Sequence, residues 1–305
     1  IDTILKHEHK GRIHADINPI KSDQGGTVTG RFSYSNPNLQ QIPARNKDLG
    51  PMIRGLFIPE KDCKWGCFDY SQQEPRLVVH YAATTEPICF NDSVTKIVEK
   101  FKHDSVDFHQ TVADMANISR SQAKTINLGL FYGMGKAKLQ AELGLNTKQE
   151  AEDLFDQYHD KVPFVRELMN RTSSFAQTSG SIGTLLGRKC RFDKWEPATF
   201  GMHTPMTLEE AERTYGRGRI RRAFTYKALN KLIQGSAADM TKKAMLDLYR
   251  EGIIPHIQIH DELDLSVESP ERAKKIIEIM ENAVTLKVPN KVDYESGETW
   301  GDIYD

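Results

Sequence analysis

The chain has only four cysteines, Cys63, Cys67, Cys89 and Cys190, among its 305 residues. That is too few to staple a protein of this size, so a disulfide scaffold is excluded. Cys63 and Cys67 have no second pair at matching spacing, so reduced, partly buried thiols are expected rather than a zinc site. No apolar run approaches the ~18–20 residues that a membrane span requires, and no secretory signal opens the chain, so no membrane partner is expected. Net charge is almost nil, with 41 Lys and Arg against 42 Asp and Glu. Internal repeats and low-complexity tracts are also missing. What is present, 38% hydrophobic and 27% charged residues, fits a globular protein of about two domains. Because it opens on Ile1 rather than Met, the chain reads as a piece of a longer one.

The near-zero total hides a segregation of charge. Arg213–Lys231 carries seven Lys and Arg and no acid, and Ala116–Lys138 carries four more, again without an acid. Asp293–Asp305 carries five acids and no base. Such separation creates local fields that suit a polyanion, although any one basic run can equally be a solvated face.

Arg12–Asn18 and Thr27–Tyr34 read as a hairpin around Lys21–Gly26. Lys64–Asp69 reads as a strand, followed by a helix over Glu74–Ala83 whose first turn holds Pro75. Helical patterns then cover Ser93–His103, Asp107–Ala116, Ser119–Tyr132, Thr147–His159 and Pro163–Thr178. Phe200–Gly218 reads as a loop or an insertion, Lys227–Glu251 as a long helix, His256–Val267 as a hairpin and Pro270–Leu286 as an amphipathic helix. To put Ile257 and Ile259 on one face with Leu263, Leu265 and Val267, that hairpin needs a three-residue turn or a bulge around His260–Glu262. Strands, a helical block, then helix and hairpin predict an α+β protein: a sheet domain interrupted by a helical insertion.

Two acids fall where strands end, Asp69 and Asp261. Carboxylates held at strand ends can share hard divalent cations and so serve phosphoryl transfer, although either acid alone is equally an ordinary turn residue. Ser119 and Gln122 form a capping-box pattern, after which Arg120, Lys124, Leu128 and Tyr132 recur every four residues along one helix face. Two cations followed by an apolar residue and a ring would suit a triphosphate and then a base. Taken alone, this is also a surface helix with a cationic edge. A Walker phosphate loop is excluded, since no Gly-Lys pair is followed by Ser or Thr. His7-Glu8-His9 reads as a solvated terminal segment, Trp300 as a packing anchor, and Asp293-Tyr294-Glu295 as an ordinary acidic tail.

In this order the pieces resemble motifs A, B and C of family A DNA polymerases, the group related to bacterial DNA polymerase I. Motif A is Asp69-Tyr70-Ser71-Gln72-Gln73-Glu74-Pro75-Arg76. Motif B is Arg120, Lys124, Leu128 and Tyr132-Gly133, and motif C is His260-Asp261-Glu262. Thr29–Ser33, Pro37–Pro43, Asp107-Phe108-His109 and Gln234–Asp239 also match, so the resemblance runs from about Gly11 to Trp300. The Gln-Gln-Glu-Pro-Arg form of motif A is similar to that of phage replicative enzymes.

The resemblance implies a right-hand polymerase fold with an antiparallel palm sheet over 1–85 and 225–305 and inserted, mainly helical fingers over 86–224. Thumb and exonuclease portions would be missing from this stretch, whether fused, separately encoded or removed. The activity implied is DNA-directed DNA synthesis on primer–template DNA from dNTPs, in the cytoplasm of a bacterial or phage-infected cell, with an organelle left open. Asp69 and Asp261 would bind two Mg²⁺ ions with the Tyr70 carbonyl, and Glu262 would support them. His109, Arg120 and the catalytic Lys124 would hold the triphosphate. Gln72, Leu128 and Tyr132 would complete the nucleotide contacts, and Glu74 would crowd the 2′ position. Arg31, Arg76, Asn230, Gln234 and His260 would touch the DNA.

Two positions depart from the family pattern. Leu128 stands where Phe or Tyr is usual, which implies looser packing on the incoming sugar and retained discrimination against dideoxynucleotides. Tyr226 stands where an Arg is frequent. Single-subunit RNA polymerase, reverse transcriptase and a DNA-binding module without activity stay open as alternatives; Glu74 and Glu262 favour the DNA enzyme over the RNA one.

Overall fold

A computed structural model describes residues 2–23, 25–43, 46–85, 92–102, 107–131, 136–199 and 201–303. The chain divides into two compact units, residues 1–73 with 237–305 and residues 74–236. The helices leading out of the sheet therefore group with the helical unit up to Ser236. Their own contacts explain this: the Tyr81 and Ser236 hydroxyls lie 2.7 Å apart, and Tyr81 packs on the cluster containing Ala176, Ile182, Ala228 and Leu232.

The first unit is built on a four-stranded antiparallel sheet. Its strand order is Ile257–Ile259, Glu262–Val267, Lys64–Tyr70, Val292–Gly297. Register pairs Cys67 with Asp264 and with Glu295, so alternation puts Trp65, Cys67, Asp69, Ile257, Glu262, Asp264, Asp293 and Glu295 on one face. Tyr34, Leu39, Ile42 and Trp300 join Trp65, Cys67 and Ile257 in the core on that face. Trp300 is fully buried and stacks on Trp65 at 5.9 Å, as expected of a packing anchor. On the opposite face Phe68 stacks on Tyr294 at 4.6 Å. A Cβ at Gly66 would come within 2.6 Å of Val267 Cγ2 and crowd both rings, so this close packing requires glycine. The helix Pro270–Asn282 buries Ala273, Ile276 and Met280 at the 3–4 spacing of an amphipathic helix. Its Met280 carbonyl accepts from the Tyr70 hydroxyl at 2.6 Å.

Four expectations need correction. The hairpin turn is a plain two-residue one, His260-Asp261, with Ile259 opposite Glu262 and His260 in the left-handed region at φ 55°. Ile257 and Ile259 therefore share a face with two acids rather than with Leu263 and Leu265. Both faces of the sheet are covered, so apolar residues need not keep to one side. The acidic segment Asp293-Tyr294-Glu295 is no tail but part of the strand beside Lys64–Tyr70. Within the span read as a loop, Leu208–Tyr215 is a helix, capped by a Thr207–Glu210 box. The first hairpin is also shorter than expected, pairing Asp16–Asn18 with Ser33–Ser35.

The second unit is mainly helical. Its helices include Asp92–Lys102, Phe108–Ala116, Arg120–Phe131, Lys148–Lys161 and Pro163–Ser179. Phe108, Val112, Ala123, Ile126, Tyr158, Phe164 and Leu168 are buried among them. Asn117 closes the first helix of the Phe108–Phe131 pair in the left-handed conformation at φ 54°. The Ser119–Gln122 box starts the second, with Gln122 N donating to Ser119 Oγ at 3.2 Å and Ser119 N to Gln122 Oε1 at 2.9 Å. Among the described residues no helix is long and apolar enough to cross a membrane.

Candidate active site

In the sheet unit, adjacent strands bring together the two acids singled out from the sequence. Asp69 is the penultimate residue of its strand, with Glu262 directly opposite on one side and Asp293 on the other. One residue further, Tyr70 N donates to the Asp261 carbonyl at 3.3 Å, so the turn carrying Asp261 closes over the end of the Asp69 strand. Asp69, Asp261 and Glu262 are all half-buried. Burial pushes the Asp69 carboxyl well above the usual carboxylate range, and Asp261, Glu262, Asp293 and Glu295 push it further. Glu262 is raised by burial and by Asp264, against the opposing pull of Arg54. The Tyr70 side chain is buried and committed to Met280, which leaves its backbone for the site.

Behind this rim lies a cluster that the sequence reading missed. Cys67 Sγ and carboxylate oxygens of Glu262 and Asp264 lie within 4.8 Å of one another. Asp264 is completely buried, and burial raises its carboxyl as well. Burial also drives the Cys67 thiol far upward, so it stays protonated. A protonated, soft sulfur is a poor ligand for a hard cation, whereas the rim oxygens of Asp69 and Asp261 are good ones. Arg54, buried with its guanidinium 4.5 Å over the Trp300 ring, offsets part of the charge on Glu262 and Asp264. The pairing of Asp264 with Cys67 is a matter of register, and only the mixed-face turn could have revealed it.

The helical unit gathers the phosphate-binding candidates. Arg120 Nη2 pairs with Asp107 Oδ2 at 2.6 Å, while Asp107 Oδ1 caps its own helix by accepting from Gln110 N at 3.0 Å. Lys124 follows Arg120 one turn later and is exposed. His109 is half-buried, its Nδ1 lying 3.1 Å from Asn127 Nδ2. Burial lowers the proton affinity of His109, and Arg120 and Lys124 lower it further, while Asp107 opposes them. Tyr132 and Gly133, with the side chain of Leu128, lie outside the described residues.

The remaining candidates are dispersed. Gln72 takes a left-handed backbone at φ 53°, and Glu74 is half-buried in the first turn of its helix. Arg76 is buried, with its guanidinium 4.8 Å over the Phe101 ring. Asn230 and Gln234 stand a turn apart on the helix Ala228–Arg250, both partly exposed. Arg31 is half-buried, and His260 is exposed in the Asp261 turn.

The family model for DNA polymerase family A matches residues 1–302. The chain is 34% identical over 343 residues to a DNA-directed DNA polymerase of Pseudomonas phage M6, an alignment covering 98% of this chain and 48% of the phage protein. It is 35% identical over 316 residues to DNA polymerase I of Geobacillus stearothermophilus, covering 99% of this chain and 33% of that protein. Among solved structures it is similar to the POL domain of Pol1 from M. smegmatis in complex with DNA primer-template and dNTP. The TM-score there is 0.77 at 28% identity, over 99% of this chain and 50% of that one. The chain thus spans half or less of the length of these relatives. The strand-end acids, the cation-bearing helix and these likenesses agree, and this chain belongs to DNA polymerase family A.

Proposed function

We propose that the chain is the polymerising part of a template-directed DNA polymerase, adding deoxynucleotides to a primer 3′ end. The sheet unit would serve as palm and the helical unit as fingers, in the cytoplasm of a bacterial or phage-infected cell. One observation carries the reading: Asp69 and Asp261 meet at adjacent strand ends, where Asp261, Glu262, Asp293 and Glu295 all act on Asp69 with like charge. All-oxygen donors under that repulsion fit a pair of Mg²⁺ ions held by Asp69, Asp261 and the Tyr70 carbonyl. When bound, such ions would supply Lewis acidity at the primer 3′-hydroxyl and charge neutralisation at the departing pyrophosphate.

The chain's own groups do the rest. Arg120 offers a forked guanidinium and Lys124 a point charge to the triphosphate. Asp107 keeps the Arg120 side chain in one orientation before nucleotide arrives. His109, largely neutral beside two cations, donates one hydrogen bond rather than a further charge. Glu74 crowds the sugar 2′ position and selects deoxyribose. Glu262 supports the metal-binding acids from the neighbouring strand. Asn230, Gln234, Arg31 and His260 contact the primer–template, where minor-groove acceptors common to all base pairs report geometry rather than sequence. Arg76 supports the primer strand from behind.

Primer extension with Mg²⁺ tests this, comparing the chain with Asp69→Ala and Asp261→Ala. Each variant should lose nearly all extension while keeping much of its DNA affinity, because the acids act mainly on the transition state. Preference for rNTPs would move the chain to the RNA enzymes. DNA binding with no Mg²⁺-dependent extension would reduce it to a binding module.

A further inference from the structure

His109 is held by a relay that neither its motif nor its helix accounts for. The Tyr158 hydroxyl donates to Asn127 Oδ1 at 2.5 Å, and Asn127 Nδ2 stands 3.1 Å from His109 Nδ1. Both Tyr158 and Asn127 are wholly buried. The helix Lys148–Lys161 that carries Tyr158 is fixed to the turn beside His109's helix, where Gln157 Nε2 donates to the Ala116 carbonyl at 2.7 Å.

We infer that Tyr158 and Asn127 are positioning residues that lock His109 in the Nε2–H tautomer, so that a neutral imidazole presents one N–H to a triphosphate oxygen. The inference rests on the reading of His109 as a nucleotide ligand. Direction is set at the tyrosine end. A buried phenol remains protonated and must give its proton to an acceptor, since an unmade buried bond is costly. Asn127 Oδ1 takes that proton, which turns the amide Nδ2 toward the histidine. An N–H pointing at Nδ1 requires a lone pair there, so the imidazole proton sits on Nε2. The charged groups acting on the ring are Asp107, Arg120 and Lys124. Burial and the two cations lower its affinity for a second proton, against the pull of Asp107. His109 thereby binds anions by direction rather than by charge, beside two residues that already supply charge.

The test is ¹⁵N-edited NMR of the histidines in the full chain, with the His109 signals assigned through His109→Gln, alongside dNTP kinetics. Wild type should show Nδ1 as the unprotonated nitrogen. Tyr158→Phe should mix the tautomers and raise the KM for dNTP about three- to tenfold, with kcat within about twofold. That penalty should disappear in the His109→Gln background, where a side-chain amide donates without needing a tautomer. Should Tyr158→Phe fail to fold, Asn127→Asp reads the same relay, because its carboxylate should pull the proton to Nδ1. An Nδ1–H tautomer in wild type, or a Tyr158→Phe penalty that persists without His109, overturns the relay. The expected tautomer together with an unchanged KM in His109→Ala, which cannot donate, would keep the relay and remove the triphosphate role.

Discussion

The two units solve opposite electrostatic problems. In the sheet unit, Asp69, Glu262, Asp264, Asp293 and Glu295 share one sheet face, with Arg54 as partial compensation. Burial raises the proton affinities of Asp69, Glu262 and Asp264, and neighbouring acids add to it. In the helical unit the reverse holds: Arg120 is paired with Asp107, Asp107 caps a helix, and His109 hangs from a satisfied hydrogen-bond relay. One region is unfavourable until something positive arrives, and the other is organised in advance of something negative. The proposed polymerase activity would use both, and only the first should cost stability.

The largest expected effect breaks that contrast from the acidic side. We predict that Asp69→Asn lowers extension by about 10³-fold or more, since the amide cannot bind a hard cation as the carboxylate does. In metal-free buffer at pH 8 the same variant should melt a few degrees higher than wild type, because it removes one charge from the crowd. The sign follows from the raised carboxyl. The folded state prefers Asp69 protonated, so its unfavourable contribution grows as pH rises above the ordinary carboxylate range. Adding Mg²⁺ should raise the wild-type melting temperature and leave the variant nearly unmoved. Calorimetry with and without chelator decides it, and a less stable Asp69→Asn would show that the cluster is already satisfied.

Next in size is the cationic side. Arg120→Ala should raise the KM for dNTP about 10- to 100-fold, through loss of a charge-assisted bidentate contact. Arg120→Lys should recover only part of this, since an ammonium lacks the planar fork. Unlike Asp69→Asn, neither variant should gain stability, because an exposed ion pair contributes little in either direction. Steady-state kinetics paired with melting curves separates the two regions.

Much of this contrast could be read from the sequence, and the illegible part has a physical pattern. The strand at Lys64–Tyr70, the helix opened by Ser119 and Gln122, and the acids Asp69 and Asp261 announce themselves through period, capping chemistry and motif. The Leu208–Tyr215 helix was legible too, since Thr207 and Glu210 spell a capping box that the surrounding Gly and Pro obscured. Asp264 was not legible, because a buried acid in an apolar strand looks like a solvent-facing alternation until the register is known. Asp293 and Glu295 look like a tail until they are seen paired with Asp69 and Cys67. The Tyr158–Asn127 link joins helices whose packing no local pattern encodes.

A smaller change sharpens the comparison inside motif B. Leu128→Tyr should speed deoxynucleotide incorporation and weaken discrimination against dideoxynucleotides, because a ring would pack on the sugar where a branched aliphatic now stands. Single-nucleotide incorporation with dNTP and ddNTP in competition measures it, and an unchanged selectivity ratio would count against the role given to that position. No change in metal-free stability is expected, which distinguishes it again from the acidic unit.

The smallest effect tests whether the helical unit really is satisfied. Asp107 is pushed up by burial, but hydrogen bonds from Gln110 N–H and the Arg120 guanidinium outweigh this and hold its carboxyl below the ordinary range. A depressed carboxyl contributes stability above its unfolded pKa, near ~4, and loses it as pH falls through the folded value. Both side chains are more than one-third exposed, at 37% and 52%, so solvent screening limits the pair to under about 1 kcal/mol. Asp107→Asn keeps a competent helix cap while removing the charge. It should therefore cost at most a few tenths of that scale at pH 7, raise the KM for dNTP only about two- to threefold by freeing Arg120, and approach wild type as pH falls through the depressed folded value, where both lose the ion pair. Melting curves of the two proteins from pH 3 to pH 8 should converge toward the acid end; if they run parallel throughout, the Asp107–Arg120 contact orients the arginine without stabilising the fold.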